Sequence, residues 1–282
     1  MSSYKITFIT PLFSRGALDT PEIRPSSIRG QLHWWFRAVG GSYQEEKAVF
    51  GGVGKDASSS KVVVRVSDIH GVIDESRTLP HKSGGMAAPR EAYQPGTSFI
   101  LHISMRLGGF KSDQHKERFE QALEAWLLLG TLGLRSTRAA GSFVWEPCDS
   151  NGKDMPETIE DYASRCRNVL NNAPLRHTVS NIKYEEAEDV RNLVSDTLGG
   201  RDDREGEGEL ARLRYPLGKA FGGRKTSPLR FRIVSPDNNG FYIAAVWDDR
   251  QEVTGNTPGD LEGIIRLLQQ KKSELGNQLT RL

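Results

Sequence analysis

Three stretches of this chain set glycine next to arginine or lysine, a pairing suited to binding a polyanion. Glycine lets backbone approach a phosphate closely, and arginine offers a forked, permanently charged donor. The first stretch, residues 10–30, carries Arg15 beside Gly16, then Arg24 and Arg29 at the start of a helical pattern. Arg29, His33 and Arg37 follow one another at i, i+4 and i+8, forming one stripe beside an apolar helix face. The strand-to-helix junction before them would present backbone N–H groups, where an anion can sit. The second stretch, residues 130–143, holds Gly133, Arg135, Arg138 and Gly141, and no acidic residue stands between Trp126 and Val144. It lacks the Gly-Lys-Ser/Thr ending of a nucleotide-binding P-loop. The third, residues 222–232, sets Arg224 and Lys225 after a glycine pair and ahead of a strand-like run. Each also admits a plain reading: a solvated helix flank, a helix-to-strand turn, a basic surface loop.

Trp34 and Trp35 are adjacent, so their rings face different ways. Trp35 falls on the apolar side and reads as core. Trp34 lies off it and could stack on a base, pack in the core or meet another subunit. Catalysis by proton transfer would need a positioned acid or base. The histidines (His33, His70, His81, His102, His115 and His177) form no close pair and no HxH or HExxH pattern. His33, beside the arginine stripe, and His81, in a long loop, are the two candidates for such a cleaving acid or base. Asp and Glu show no metal-ligand spacing, and there is no nucleophile elbow. The expectation is therefore no catalytic residue, no metal and no cofactor.

The elements that must position these residues follow from patterning. Residues 4–10 alternate as a strand, with Tyr4, Ile6 and Phe8 on one side. Pro25, Ser26 and Ser27 open a helix with a serine available as N-cap, and Ile28, Leu32, Trp35, Phe36 and Val39 share its apolar face. Residues 61–69 and 97–107 read as strands, 112–130 as a helix and 142–145 as a short strand. Together residues 1–147 spell strand, helix, strand, strand, helix, strand, the βαββαβ order of a ferredoxin-like α+β domain. Two long loops interrupt it, 51–60 and 80–96. The second half reads as a helix (156–171), a strand (176–184), a helix (185–198), a hairpin (229–234 with 241–247) and a last helix from about residue 258. The expected division is a first domain over residues 1–150 and a second, reduced ferredoxin-like or elaborating domain over 151–282.

Of the 282 residues 37% are hydrophobic, and no apolar run nears the roughly 20 a membrane-spanning helix needs. The first residues show no signal-peptide profile, and Cys148 and Cys166 form no CxxC pair, which fits a reduced, cytoplasmic setting. The net charge is only +2, but it is blocked: residues 212–232 hold seven basic and no acidic residues, and 185–209 hold ten acidic and three basic. Such blocks form local anion-binding surfaces in a near-neutral chain, unless they are simply two solvated faces.

These segments together resemble the RAMP superfamily of CRISPR proteins, and within it the first-numbered subunit of the type III Cmr effector complex. The resemblance lies in Thr10-Pro11-Leu12-Phe13, Glu22-Ile23-Arg24, Ser27 to Leu32, Trp34-Trp35-Phe36-Arg37 and Val49-Phe50-Gly51, with 133–141 similar to the family's glycine-rich loop and 224–231 to its basic strand entry. It implies a structural, RNA-binding subunit that contacts guide RNA and target RNA near the head of the complex, among other RAMP subunits and away from membranes. The RNA-binding residues it points to are Arg15, Arg24, Arg29, His33, Trp34, Arg37, Gly133, Arg135, Arg138, Gly141, Arg224 and Lys225. The alternative is a RAMP endoribonuclease acting on guide RNA. The family carries an arginine where His33 stands, which favours binding over cleavage.

Overall fold

The chain is mixed α/β with antiparallel sheets; a computed structural model describes residues 2–54, 57–80, 89–199, 227–236, 239–248 and 250. Arg224, Lys225, His81, the acidic stretch beyond residue 199 and the helix expected from residue 258 lie outside the described residues. Strand β1 (Ser2–Phe8) buries Tyr4, Ile6 and Phe8 and turns Lys5 to solvent, as its alternation requires. Helix α1 (Pro25–Ala38) buries Ile28, Leu32, Trp35 and Phe36 on one face. Its start differs from expectation: the N-cap is Arg24 and no side chain caps it. Pro25 sits in the first turn instead, where its missing N–H costs nothing and its fixed φ suits the helix.

Helix α2 (Tyr43–Phe50) follows at once, opened by a capping box in which Ser42 Oγ accepts from the Glu45 N–H and the Glu45 carboxylate accepts from the Ser42 N–H. Then come β2 (Val62–His70), β3 (Ile73–Arg77), β4 (Pro89–Tyr93), β5 (Ser98–Met105), α3 (Asp113–Leu129) and β6 (Phe143–Pro147). The six expected elements are present in their expected order, with α2 and the β3–β4 hairpin inserted. The loop expected over 80–96 thus contains a strand, and β3 pairs with β4 from Ile73↔Tyr93 to Arg77↔Pro89. The main sheet has the order β2-β5-β1-β6, and every neighbouring pair in it is antiparallel.

The second half supplies α4 (Ile159–Val169), β7 (Arg176–Val179), α5 (Ala187–Gly199), β8 (Leu229–Val234) and β9 (Tyr242–Trp247). Its strands form a separate antiparallel sheet of order β7-β9-β8. The main core lies between the β2-β5-β1-β6 sheet and α1 and α3, and it takes in Tyr162 and Cys166 of α4. Val234, Tyr242, Ala244 and Val246 of the second sheet join the same core, so one hydrophobic cluster runs across residue 150. A smaller cluster gathers Leu229, Phe231 and Ile233 with Val190 and Val194 of α5.

Candidate nucleic-acid interface

The glycine-rich loop leaves α3 at Gly130 and enters β6 at Phe143. Sequence demands its shape: Gly133 and Gly141 have φ of +80° and +66°, and Arg135 and Ala139 share that left-handed region at +61° and +62°. Four such residues within nine positions make a tightly coiled loop, and each non-glycine one carries a conformational cost. A Cβ on Gly133 would meet the Phe13 carbonyl oxygen at 2.5 Å, and one on Gly141 the Leu132 carbonyl oxygen at 2.0 Å.

The loop is stitched to the segment after β1. The Leu134 N–H donates to the Phe13 carbonyl at 2.7 Å, and the Gly141 N–H to the Pro11 carbonyl at 3.0 Å. Thr10 Oγ1 donates to the Ala139 carbonyl and accepts from the Ser142 N–H, both at 2.9 Å. On its other side the loop meets β8: the Phe231 N–H donates to the Thr137 carbonyl at 3.2 Å, and Arg138 forms a parallel bridge with Phe231. Residues 10–13, the coiled loop and Phe231 of β8, more than 200 residues apart in sequence at the extremes, thus converge on one locus. Arg135 there is exposed and Arg138 half-buried. Arg15, on the adjoining segment, donates to the Asp19 carbonyl and pairs with the Asp19 carboxylate at 3.0 Å. Arg24 stands at the N-cap of α1, half-buried, its Nε enclosed without a hydrogen-bond partner.

The stripe on α1 has a different fate. The Arg29 guanidinium donates to the carbonyl of Phe50, the last residue of α2. His33 Nδ1 lies 2.7 Å from Glu46 Oε1, its ring tilted over Phe50 at 4.0 Å, and Arg37 reaches the same carboxylate at 3.8 Å. The stripe thus seats α2, with Arg37 still exposed. His33, one of the two cleavage candidates, is held by that carboxylate. Trp34 is half-buried, with the Arg230 guanidinium 3.8 Å from its ring centroid, and so meets a cation of β8 rather than open solvent.

Two of the seven basic residues in the 212–232 block are not on any surface loop. Arg232 is 1% exposed. Its guanidinium donates to the carbonyls of Gly130 at 2.6 Å and of Phe143, and to that of Trp126 at 3.4 Å. It also sits 4.3 Å from the Phe143 ring. Carbonyls at the C-terminus of α3 carry the negative end of the helix dipole, which is the counter-charge this buried cation needs. Burial lowers its pKa, and burial alone pulls Arg230 down to about 10, still a cation at neutral pH. The same interior pushes the Tyr162 hydroxyl well up and the Cys166 thiol up to about 12, so this cysteine is a packing residue. Sequence reasoning missed Arg232 as a brace; its position between Phe231 and Ile233 in an apolar strand was the available signal. Among the described residues no group of His, Cys, Asp and Glu could hold a metal, and no helix is long and apolar enough to cross a membrane.

Comparison with known proteins places this geometry. The family model of the RAMP superfamily matches residues 5–144, the stretch from β1 to β6. The CRISPR system Cmr subunit Cmr1-2 of Pyrococcus furiosus is 26% identical over 181 residues, covering 49% of this chain and 91% of that protein. Its companion Cmr1-1 is 30% identical over 148 residues, covering 44% of this chain and 40% of that one. The crystal structure of apo Cmr1 from Pyrococcus furiosus superposes with a TM-score of 0.55 at 20% identity, over 87% of both chains. A chain of the type III-B Cmr-β complex bound to cognate target RNA superposes with a TM-score of 0.57 at 10% identity, over 95% of this chain and 99% of that one. This chain belongs to the RAMP superfamily and is a Cmr1-like member of it.

Proposed function

We propose that this protein is a non-catalytic, RNA-binding structural subunit of a type III CRISPR effector complex, contacting guide and target RNA near the head of the assembly beside other RAMP subunits in the cytoplasm. The order β2-β5-β1-β6 in an all-antiparallel sheet supports reading residues 1–150 as a ferredoxin-like unit. Residues 151–282, with a three-stranded sheet, are then the reduced second half. The observation that carries the functional reading is the convergence of residues 10–17, 130–143 and 227–232 at the coiled loop. Arg15, Arg24, Arg135 and Arg138 would meet phosphates there. Gly133 and Gly141 would let backbone approach, and Arg224 and Lys225 would add charge from the entry to β8. Arg29, His33, Trp34 and Arg37 contribute chiefly by holding α2 and β8 in place behind that surface.

The test is fluorescence anisotropy with two unrelated single-stranded RNAs across a salt series. Replacing Arg135 and Arg138 with Ala lowers affinity for both RNAs alike, since phosphate contacts carry no sequence information. It also reduces the slope of log K against log salt by about 1.4, from roughly 0.7 per phosphate on a single strand. An unchanged slope assigns those arginines to a neighbouring subunit.

A further inference from the structure

The face of the β2-β5-β1-β6 sheet turned away from α1 and α3 carries a second group of polar residues, remote in sequence from the coiled loop. Cross-strand register places Ser3 and Arg65 on either side of His102, and Lys5 beside Ile100 one step along. Residues directly opposite in an antiparallel sheet share a face, so all of these point the same way. Lys5 and Arg65 are exposed, while Ser3, Ser67 and His102 are half-buried. The side chains of Lys5 and Arg65 have no hydrogen-bond or ion-pair partner among the described residues.

At the centre lies a directed chain of hydrogen bonds. Ser67 Oγ donates to Asp68 Oδ2 at 2.8 Å and lies 2.9 Å from His102 Nε2, while His102 Nδ1 lies 3.1 Å from Ser3 Oγ. A hydroxyl has one proton, so Ser67, having given its own to Asp68, accepts from Nε2–H, and Nδ1 then accepts from the Ser3 hydroxyl. The imidazole is thereby fixed between two strands. The backbone pays for this arrangement: Asp68 has φ of +51°, and the β2–β5 register shifts between Ser67 and His70. Bulges and left-handed residues of this kind gather where a side chain is being aimed.

We propose that this open face is a second surface for the sugar–phosphate backbone of single-stranded RNA, with Lys5 and Arg65 meeting phosphates on either side of the anchored His102. The proposal rests on the RNA-binding reading above and adds a site to it. The chemistry fits a backbone better than a protein partner. Around His102 the face offers two cations and two hydroxyls beside the Asp68 carboxylate, no Phe, Tyr or Trp anchor, and a lysine of the kind that protein interfaces avoid. The strand residues of this face include no Phe, Tyr or Trp, so His102, held on both ring nitrogens, is the ring a base could meet there. Glu146 on β6 stands opposite Lys5 in the register, exposed, and would repel an approaching phosphate, as would Asp68.

The experiment uses the full chain, labelled single-stranded RNA of arbitrary sequence, and three variants: K5A/R65A, E146Q and R135A/R138A. All residues changed on the sheet face are exposed, and a circular dichroism melt confirms that each variant folds as the parent does. We expect K5A/R65A to lower the log–log salt slope by about 1.4, and E146Q to tighten binding. If K5A/R65A leaves the slope unchanged while R135A/R138A lowers it, the sheet-face proposal fails and the RNA reading stands. If K5A/R65A instead abolishes capture of another Cmr subunit with the slope intact, the face docks protein and the proposal fails. No salt-dependent binding by the parent chain defeats both.

Discussion

Helix α1 and the glycine-rich loop carry the same kind of residues, arginines set close to glycine, and the fold treats them in opposite ways. On α1 the stripe is engaged with α2: Arg29 on the Phe50 carbonyl, His33 and the exposed Arg37 on Glu46. In the loop the backbone is the costly part, with four positive φ values in nine residues, and Arg135 ends up exposed. A regular helix can recruit a neighbouring helix to cover its basic flank, because its side chains are evenly spaced and α2 follows directly. A coiled loop has no such face to offer. Identical residue types therefore give a structural clamp in one place and a presented surface in the other.

The glycines offer the sharpest way to break this comparison. Gly141→Val forces a β-branched residue into φ of +66° with its Cβ 2.0 Å from a carbonyl oxygen, and Gly133→Val does the same at 2.5 Å. Each should cost about 2–5 kcal/mol, from left-handed strain plus overpacking. Gly30→Ala on α1 has nothing within 4 Å of the new Cβ and should stabilise by roughly 0.5–1 kcal/mol. Thermal melts of the three variants check the opposite signs. If Gly141→Val melts with the parent, the loop is not held in the coiled form described.

The stripe gives a smaller effect. Arg29→Ala removes the donor on the Phe50 carbonyl at the end of α2, and should cost about 1–2 kcal/mol. Its RNA salt slope should stay near that of the parent, unlike that of R135A/R138A. Chemical denaturation and anisotropy on one preparation separate the two outcomes. Glu46→Gln, by releasing His33 and Arg37, should raise RNA affinity if the stripe can still reach the strand, at a stability cost below about 1 kcal/mol.

Outside both regions, Glu124 on α3 gives a reference of smaller effect. Burial pushes its carboxyl up, but the hydrogen bonds and charges of Lys153 and Arg165 outweigh that and leave it below its ordinary 4.5. A depressed carboxyl contributes stability above its unfolded value and loses it as pH falls through the folded one. Glu124→Gln should therefore melt about 2–4 °C below the parent at pH 7, for roughly 1 kcal/mol, with the gap closing towards pH 3. A gap that persists in acid would assign the effect to packing.

Periodicity made much of this legible. The alternation through Tyr4, Ile6 and Phe8 and the 28/32/35/36 face of α1 appear as read, because one-sided burial leaves a clear pattern. The β3–β4 hairpin was missed because nearly all of β3 and most of β4 are exposed, so neither strand needs an apolar face. Helix α2 was missed although Ser42 and Glu45 spell its capping box, for the helix is short and only Val49 and Phe50 are buried. In the site, residue types were legible and partners were not. Nothing local in the sequence says that Arg29 will meet Phe50, or that Trp34 will lie under Arg230, since those pairings depend on how distant elements are brought together.

The buried guanidinium of Arg232 has a bearing on biosynthesis. Its carbonyl partners precede it by 89 to 106 residues, at the end of α3 and at the point where the coiled loop enters β6. A ribosome adding about 5–20 residues per second makes α3, the loop and β6 roughly 5–20 s before it makes β8. During that interval the Gly130 and Phe143 carbonyls lack the Arg232 guanidinium, and the loop lacks its Phe231 contact. The coiled loop thus has its Thr10, Pro11 and Phe13 partners well before the contacts on its β8 side can form.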